Sequence, residues 1–472
     1  MGRIESIVFE DEIVLYWEKA ADVRVTGYEI WCNGRKEGET DKTHFTLTEL
    51  IACTDYEIEI KSLPTGNLER VTLTTGKVKR RIDVTTAPYY AVGDGKTLNT
   101  VVLQKALDDC KEDEVVYLPQ GIYLTGALRM HSDMELYLEE GAVIQGTDRV
   151  EDYLPKIWSR FEGTELYCYS SLLNLGELDH EAGYNCCNVV IRGKGTIASG
   201  GRTLAERVIA VETENMKEQL EALGEQIKEC ENERTIPGRV RPRLINMSNC
   251  QNIILSGVTL RNGASWNVHM IYSDTIVTNH CNFYTGDDSI AIKSGKNPEG
   301  NKIGRPTKHI RIFDCRSAYG HGITIGSEMS GGVEDVRIWD CDMSSSLFGI
   351  EIKGTWKRGG YVRDIHVTNC KTTRVLFHSV GYNNDGIAAD TQPYFEDCSF
   401  ENLSISGKYY DHYKEERGYC DAIELIGFDE PGHELKNITF RNITIGIPGE
   451  SRRQNISVQL CENITLDKIT CL

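Results

Sequence analysis

The stretch T-K-H-I-R-I-F-D-C at 307–315 returns as V-E-D-V-R-I-W-D-C at 333–341 and as V-R-D-I-H-V-T-N-C at 362–370. Each is a short alternation of polar and apolar residues closing on Asp-Cys or Asn-Cys, the pattern of a strand with one face in a core. Working outward, C-Q-N-I-I-L-S-G-V-T-L at 250–260 and L-K-N-I-T-F-R-N-I-T-I at 435–445 have the same form. Cysteines at 250, 281, 315, 341, 370 and 398 are separated by 31, 34, 26, 29 and 28 residues. A period of about 20–50 residues built of strands and turns marks a solenoid. The turns lack the helices of an α/β fold, so the pattern predicts a parallel β-helix. Equivalent residues then stack from coil to coil. The cysteines are expected to form an inward ladder of reduced thiols, not disulfides or metal ligands.

The chain has 472 residues, 40% of them hydrophobic, with 44 Gly and 11 Pro, which is the composition of a globular protein of two or three domains. Its formal charge of -19 excludes a general nucleic-acid or anionic-membrane binder, since phosphate contact needs a basic face. The same charge weakly repels a long polyanion. No run of about 18 apolar residues occurs, so no spanning helix is expected. The opening M-G-R-I-E-S-I-V-F-E-D-E carries acids where a signal peptide needs an apolar core. The expected location is cytoplasmic, or secreted if a leader was removed before this numbering begins.

Residues 1–86 read as a small β-sandwich, with strands at I-V-L-Y-W-E (13–18) and F-T-L-T-E-L (45–50), and G-Y-E-I-W-C-N-G-R (27–35) running into an Asn-Gly hairpin turn. Trp17, Tyr28, Leu50 and Tyr56 lie where a fibronectin type III module has its core Trp, strand Tyr and tyrosine corner, and the segment resembles that family. Residues 87–472 form the second domain. It opens with an amphipathic helix carrying Leu103, Leu107 and Cys110 on one face. A helical insertion near 203–232 interrupts the coils, with Met216, Leu220, Leu223, Ile227 and Cys230 stepping along one face. The insertion packs on the solenoid or forms a wall or dimer contact beside a cleft.

The chemistry gathers at T-G-D-D-S-I-A-I-K-S-G, 285–295. Neighbouring carboxylates push each other's pKa values apart, so one can carry a proton while the other stays ionised. Glycosidic hydrolysis requires that division: an acid for the leaving oxygen and a base for water. His321, between two glycines, and Lys353 follow Asp287 at intervals of 34 and 32 residues, about one coil each. Stacking therefore predicts one shared face.

These segments resemble the polygalacturonases, glycoside hydrolase family 28. The resemblance runs through V-G-D-G-K-T-L-N-T (92–100), L-Y-L-E-E-G-A-V-I (136–144), R-P-R-L-I (241–245), A-S-W-N-V-H (264–269), the Asp-Asp segment, and Y-G-H-G-I-T-I-G-S-E (319–328). It implies an all-β, right-handed parallel β-helix of the pectin-lyase type and hydrolysis with inversion, without metal or cofactor. Asp287 would be the general acid, Asp288 would hold the water, and His321 would support the acid's protonation. Lys353, Lys293, His269, Trp266 and Tyr382 would contact an oligosaccharide substrate. Two departures stand out. Only 21 residues separate Trp266 from Asp287, leaving no room for the family's Asn-Thr-Asp coil; Y-N-N-D-G at 382–386 resembles it but lies two coils late. The family's Arg-Ile-Lys is here Glu351-Ile352-Lys353. Either Glu351 is a replacement catalytic carboxylate, or the substrate is not a simple galacturonate chain.

The expectation is an exo-acting glycoside hydrolase for pectin-derived oligosaccharides of galacturonate or rhamnogalacturonan type. The alternatives are a carbohydrate-binding protein without turnover, a hydrolase for another glycoside, or a lyase or epimerase on the same groove. Nucleic acid and membrane are not expected partners, and the oligomeric state, a homo-oligomer included, is left open.

Overall fold

The computed structural model describes residues 4–19, 24–224, 234–381, 386–450 and 455–472. The chain divides into two compact units, Met1–Arg81 and Ile82–Leu472. The division falls before residue 86 because Ile82 and Val84 already belong to the solenoid core. Among the described residues no helix is long and apolar enough to cross a membrane.

The first unit holds an antiparallel sheet of Glu5–Val8, Ile13–Tyr16 and His44–Leu47, and another of Arg35–Thr40, Gly27–Cys32, Asp55–Leu63 and Leu68–Thr74. Asn33 and Gly34 both have positive φ (49° and 76°), the geometry that an Asn-Gly hairpin turn requires. Trp17 packs edge-on against Tyr28 with ring centres 5.1 Å apart, and the Tyr56 hydroxyl accepts a hydrogen bond from Ile51 N at 2.8 Å.

The second unit is a parallel β-helix. Strands Arg80–Asp83 and Asp94–Leu98 pair with its first coil, and between Asp94–Leu98 and that coil runs helix α1 (Thr100–Asp109), which buries Leu103, Ala106 and Leu107; Cys110 is its C-terminal cap. Strands then stack in register from coil to coil. One interior row runs Val189, Ile253, Ile276, Ile310, Val336, Ile365, Cys398, Ile438 and Ile464. Asp314, Asp340, Asn369 and Asn402 take positive φ of 47–55° at one corner of successive coils. Asp and Asn enter that region more easily than other side chains, which is why so many strands close on them.

The cysteines occupy three different rows. Cys281, Cys315, Cys341 and Cys370 stack directly, each carbonyl accepting a backbone N–H from the coil above at 2.9–3.0 Å. Cys250 pairs with Cys186, and Cys398 belongs to the isoleucine row. Unequal coil lengths make sequence spacing blend these rows. All fifteen described cysteines are free thiols, and burial pushes those at 315, 341 and 370 well up.

The insertion is two consecutive helices, α2 (Gly201–Asn215) and α3 (Lys217–Leu223), followed by the short α4 (Thr235–Gly238). The side chains that α2 buries are Leu204, Ala205, Val208 and Glu212, not the row from Met216 to Leu223, which is half-buried; Ile227 and Cys230 lie outside the described residues. Glu212 anchors α2 by accepting from Lys156 and the Tyr169 hydroxyl, each at 2.8 Å.

Candidate active site

A ten-stranded parallel sheet carries the residues of interest, including β1 (Val268–Ile271), β2 (Asp288–Lys293), β3 (Gly322–Ile325), β4 (Gly349–Gly354) and β5 (Arg374–Ser379). Ile290, Ile323, Ile350 and Val375 point into the core. The alternate positions form an outward row in register: Asn246, His269, Ala291, Thr324, Glu351, Leu376.

Asp287 and Asp288 sit where the chain enters β2. Gly320 lets the following coil lie close: a Cβ there would be 2.2 Å from Thr285 O, and the residue's φ is +92°. His321 N donates to Asp287 O at 3.0 Å, and Gly322 permits the approach of Gly349, whose carbonyl a Cβ would meet at 2.2 Å. The imidazole is thereby held over the pair. Its Nδ1 is 3.0 Å from Asp288 Oδ1 and 3.4 Å from Asp287 Oδ1. Phe348 packs on its other side at 5.0 Å between ring centres, with Arg374 over Phe348 at 4.9 Å. Burial disfavours the imidazolium, but the hydrogen bond to Asp288 and the charges of both aspartates outweigh it and raise the His321 pKa. Asp287 is half-buried, its Oδ1 accepting Asp288 N at 2.9 Å, while Asp288 is only 2% exposed.

A second cluster adjoins the first. The Thr324 hydroxyl is 3.0 Å from Asp288 Oδ1 and 3.3 Å from Glu351 Oε2, and its single proton serves one carboxylate at a time. Glu351 Oε2 also pairs with Lys353 Nζ at 2.8 Å, and Oε1 with His378 Nε2 at 2.9 Å. Glu351 is 1% exposed. Burial opposes its ionisation, yet Lys353 and His378 hold its pKa well below the usual carboxylate range. Both oxygens being engaged, Glu351 is not a carboxylate waiting for a water. The position suits a holder of cations.

Three of the residues expected to touch substrate lie instead beneath the surface. Trp266 stacks between Phe161 (4.7 Å) and His269 (5.0 Å), with Lys293 Nζ 4.2 Å from its ring centre. His269 is 0% exposed, its Nδ1 on Asn246 Oδ1 at 2.8 Å; burial and the charges of Arg243 and Lys293 hold its pKa well below normal, so it is neutral. Lys293 is buried and ion-paired with Glu328, whose Oε1 accepts Gly163 N at 2.6 Å. The cover is the hairpin Ile157–Phe161/Thr164–Cys168, more than a hundred residues upstream of β2 and invisible to local pattern. These residues support the site floor. Tyr382 lies outside the described residues.

His269 faces Ala291 directly in register, so no coil intervenes between the Trp266 segment and the Asp pair, as the spacing required. Thr324, His378 and Glu328 were not singled out from sequence. Register would have found the first two, each one coil from a named residue on the same outward face or its neighbouring row.

The family described as Glycosyl hydrolases family 28 matches residues 177–384. A probable polygalacturonase of Vitis vinifera is 30% identical over 405 aligned positions, 77% of this chain and 74% of that protein. An exo-poly-alpha-D-galacturonosidase of Dickeya chrysanthemi is 24% identical over 554 aligned positions, 99% of this chain and 90% of that protein. The structure of a Yersinia enterocolitica family 28 exopolygalacturonase superimposes with a TM-score of 0.78 at 21% identity, covering 99% of this chain and 96% of that one, which shows a shared fold.

Proposed function

The chain belongs to glycosyl hydrolases family 28, and from that membership we propose that it hydrolyses galacturonate-containing, pectin-type oligosaccharides from one end. The observation that carries the reading is the convergence of Asp287, Asp288 and His321, one ligand atom from each lying within 4.8 Å of the others. Asp287, the more exposed carboxyl, gives its proton to the glycosidic oxygen as that bond breaks. A water attacks the anomeric carbon as that bond breaks and its proton passes to Asp288; inverted configuration of the product is what the family resemblance implies, not what the spacing of these two neighbouring carboxyls requires. His321, kept cationic, holds Asp288 in place. Lys353, steadied by Glu351, contacts substrate.

End-on action is supported by the hairpin Ile157–Cys168, whose Phe161 stacks on Trp266 on one side of the pair. An extended chain running to that side meets the hairpin and finds no continuous groove there. The first unit, with its three-stranded and four-stranded sheets, reads as a fibronectin type III-like spacer or docking module.

The test is product analysis over time on end-labelled oligogalacturonates. Stepwise shortening from one end is expected, and proton NMR of fresh product should show inversion. Asp287→Asn should lower kcat by at least about 10²-fold, the scale of general acid catalysis, with unchanged melting. Hydrolysis of neutral glycosides alone would overturn the substrate class, and mid-chain cuts would overturn end-on action. Binding without any product is the outcome of a second reading, a carbohydrate-binding protein, which the missing third aspartate favours.

A further inference from the structure

A cavity of about 590 Å³ opens between α2, α4, the hairpin turn at Glu162, the Gly263–Ala264 turn and Tyr413. That size is within the usual span of small-ligand sites, about 300–1,000 Å³. It adjoins the aspartate pair through one ring. A Cβ placed on Gly286, the residue before Asp287, would be 2.8 Å from the Tyr413 ring. The Tyr413 phenol is pushed up by burial and then by Asp287, while Arg241 and Arg202 act in the opposite sense. Catalytic carboxylate and cavity arginines thus lie within electrostatic reach of the same side chain.

Arg241 is fixed in place by backbone carbonyls and an aromatic ring, with Glu162 as a nearby counter-charge but no ion pair within 4 Å among the described residues. Its Nε donates to Gly238 O at 2.9 Å, Nη1 reaches Ala264 O at 3.5 Å, and the guanidinium lies 5.2 Å from the Phe161 ring centre. Arg202 is held loosely, 3.8 Å from Glu206, and lies 5.9 Å from the Tyr413 ring centre. Of the acids of the wall, Glu206 is held by Arg234 as well as Arg202, and Glu162 lies 3.3 Å from Arg239, with burial raising its pKa against the pull of Arg241 and Arg239. A rigid guanidinium fork offers two parallel hydrogen bonds to a carboxylate. In a chain of net charge -19, a further local cation besides Lys353 favours the approach of an anionic sugar to Asp287. Position 351, where the family resemblance expects an arginine, does not supply it.

We propose that this cavity is a subsite for a terminal uronate sugar, its carboxylate received by Arg241 with Arg202 at the rim. The inference rests on the hydrolase reading above and deepens it, adding where the charge of the terminal sugar is recognised.

Two measurements test it. Calorimetric titration with galacturonate and with galactose reads the cavity without turnover. Wild-type protein should bind galacturonate more tightly, and Arg241→Gln should lose about 10- to 100-fold of that affinity, the usual scale of a charge-assisted contact. Kinetics on a short galacturonan with its terminal carboxylate free or methyl-esterified should show Arg241→Gln raising KM for the free acid only, with kcat little changed. Arg202→Ala, at an exposed position, should shift KM in the same direction and keeps the test open if Arg241→Gln fails to fold. Equal affinity of wild type for galacturonate and galactose would overturn the subsite, as would a KM that moves equally for acid and ester. Selective galacturonate binding in a protein that hydrolyses no galacturonide would instead overturn the hydrolase reading and leave the subsite standing.

Discussion

With Oε1 on His378 and Oε2 shared by Lys353 and Thr324, Glu351 fixes the side chains around it, and its replacement should be felt through them. A carboxylate held well below its usual pKa is a weak base, poorly suited to activating water. Glu351→Gln should therefore raise KM more than it lowers kcat, because Lys353 and His378 lose their anchor. A fall in kcat at constant KM, measured on oligogalacturonates, would return Glu351 to the role of base. His321 governs the other limb. Its raised pKa means the imidazolium persists above 6.5, so His321 adds a fall in kcat/KM as pH climbs through that higher value, beyond the fall that loss of the general acid's proton brings. The linked stability has the same sign: fully present below 6.5, lost as pH rises through the folded-state pKa. His321→Asn should remove the histidine's part of the alkaline limb and so change its position or steepness, and a pH profile identical to wild type would mean that His321 does not contribute to it. The Asp pair and His321 were legible in the sequence because glycines and coil-length intervals mark them. The support of Glu351 by His378 was not, since it depends on which residues fall opposite each other in adjacent coils.

At the scale of elements, the hairpin Ile157–Cys168 is tied to the solenoid by Glu328, which accepts Gly163 N and pairs with buried Lys293. Burial alone would raise the Glu328 pKa, but Lys293 and Arg358 hold it at about 2, against 4.5 for a free carboxyl. This contribution to stability is present above pH 4.5 and is lost as pH falls through about 2. Glu328→Gln leaves Lys293 buried without a counter-charge and should cost about 3–5 kcal/mol in urea unfolding at pH 7. A change under about 1 kcal/mol, the scale of an exposed pair, would mean that water reaches the site. Strand alternation announced the coils plainly. It could not announce the cover over Trp266, His269 and Lys293, because a residue facing outward from a sheet is read as exposed until something distant is found lying on it. The insertion misled for a related reason: the Met216–Leu223 periodicity is real, but the face that meets the solenoid is chosen by Leu204, Ala205 and Val208.

At the scale of the molecule, the two units own separate cores: Trp17, Tyr28 and Ile58 in one, and the stacked rows from Ile82 onward in the other. Units with independent cores unfold independently unless a large interface couples them. Scanning calorimetry should show two transitions, and a single one with equal calorimetric and van't Hoff enthalpies would demonstrate coupling. The solenoid was legible as a whole because each coil repeats the same interior demand. The cavity beside Asp287 was not, since Tyr413, Arg202 and Arg241 come from three segments that no repeat relates.

The direct stacking of His269 on Ala291, where the family resemblance expects a further coil, has a mechanical corollary. Adjacent strands are about 4.8 Å apart, so excising one rung slides everything upstream by that step toward the catalytic aspartates. The hairpin, α2 and Arg241 all ride on that displaced section. The depth of the cleft is then quantised, set by a whole number of rungs and not by loop length. Splicing a rung back in would withdraw the wall as a rigid block and lengthen the reach between Arg241 and Asp287 by one increment, while every side chain kept its own setting.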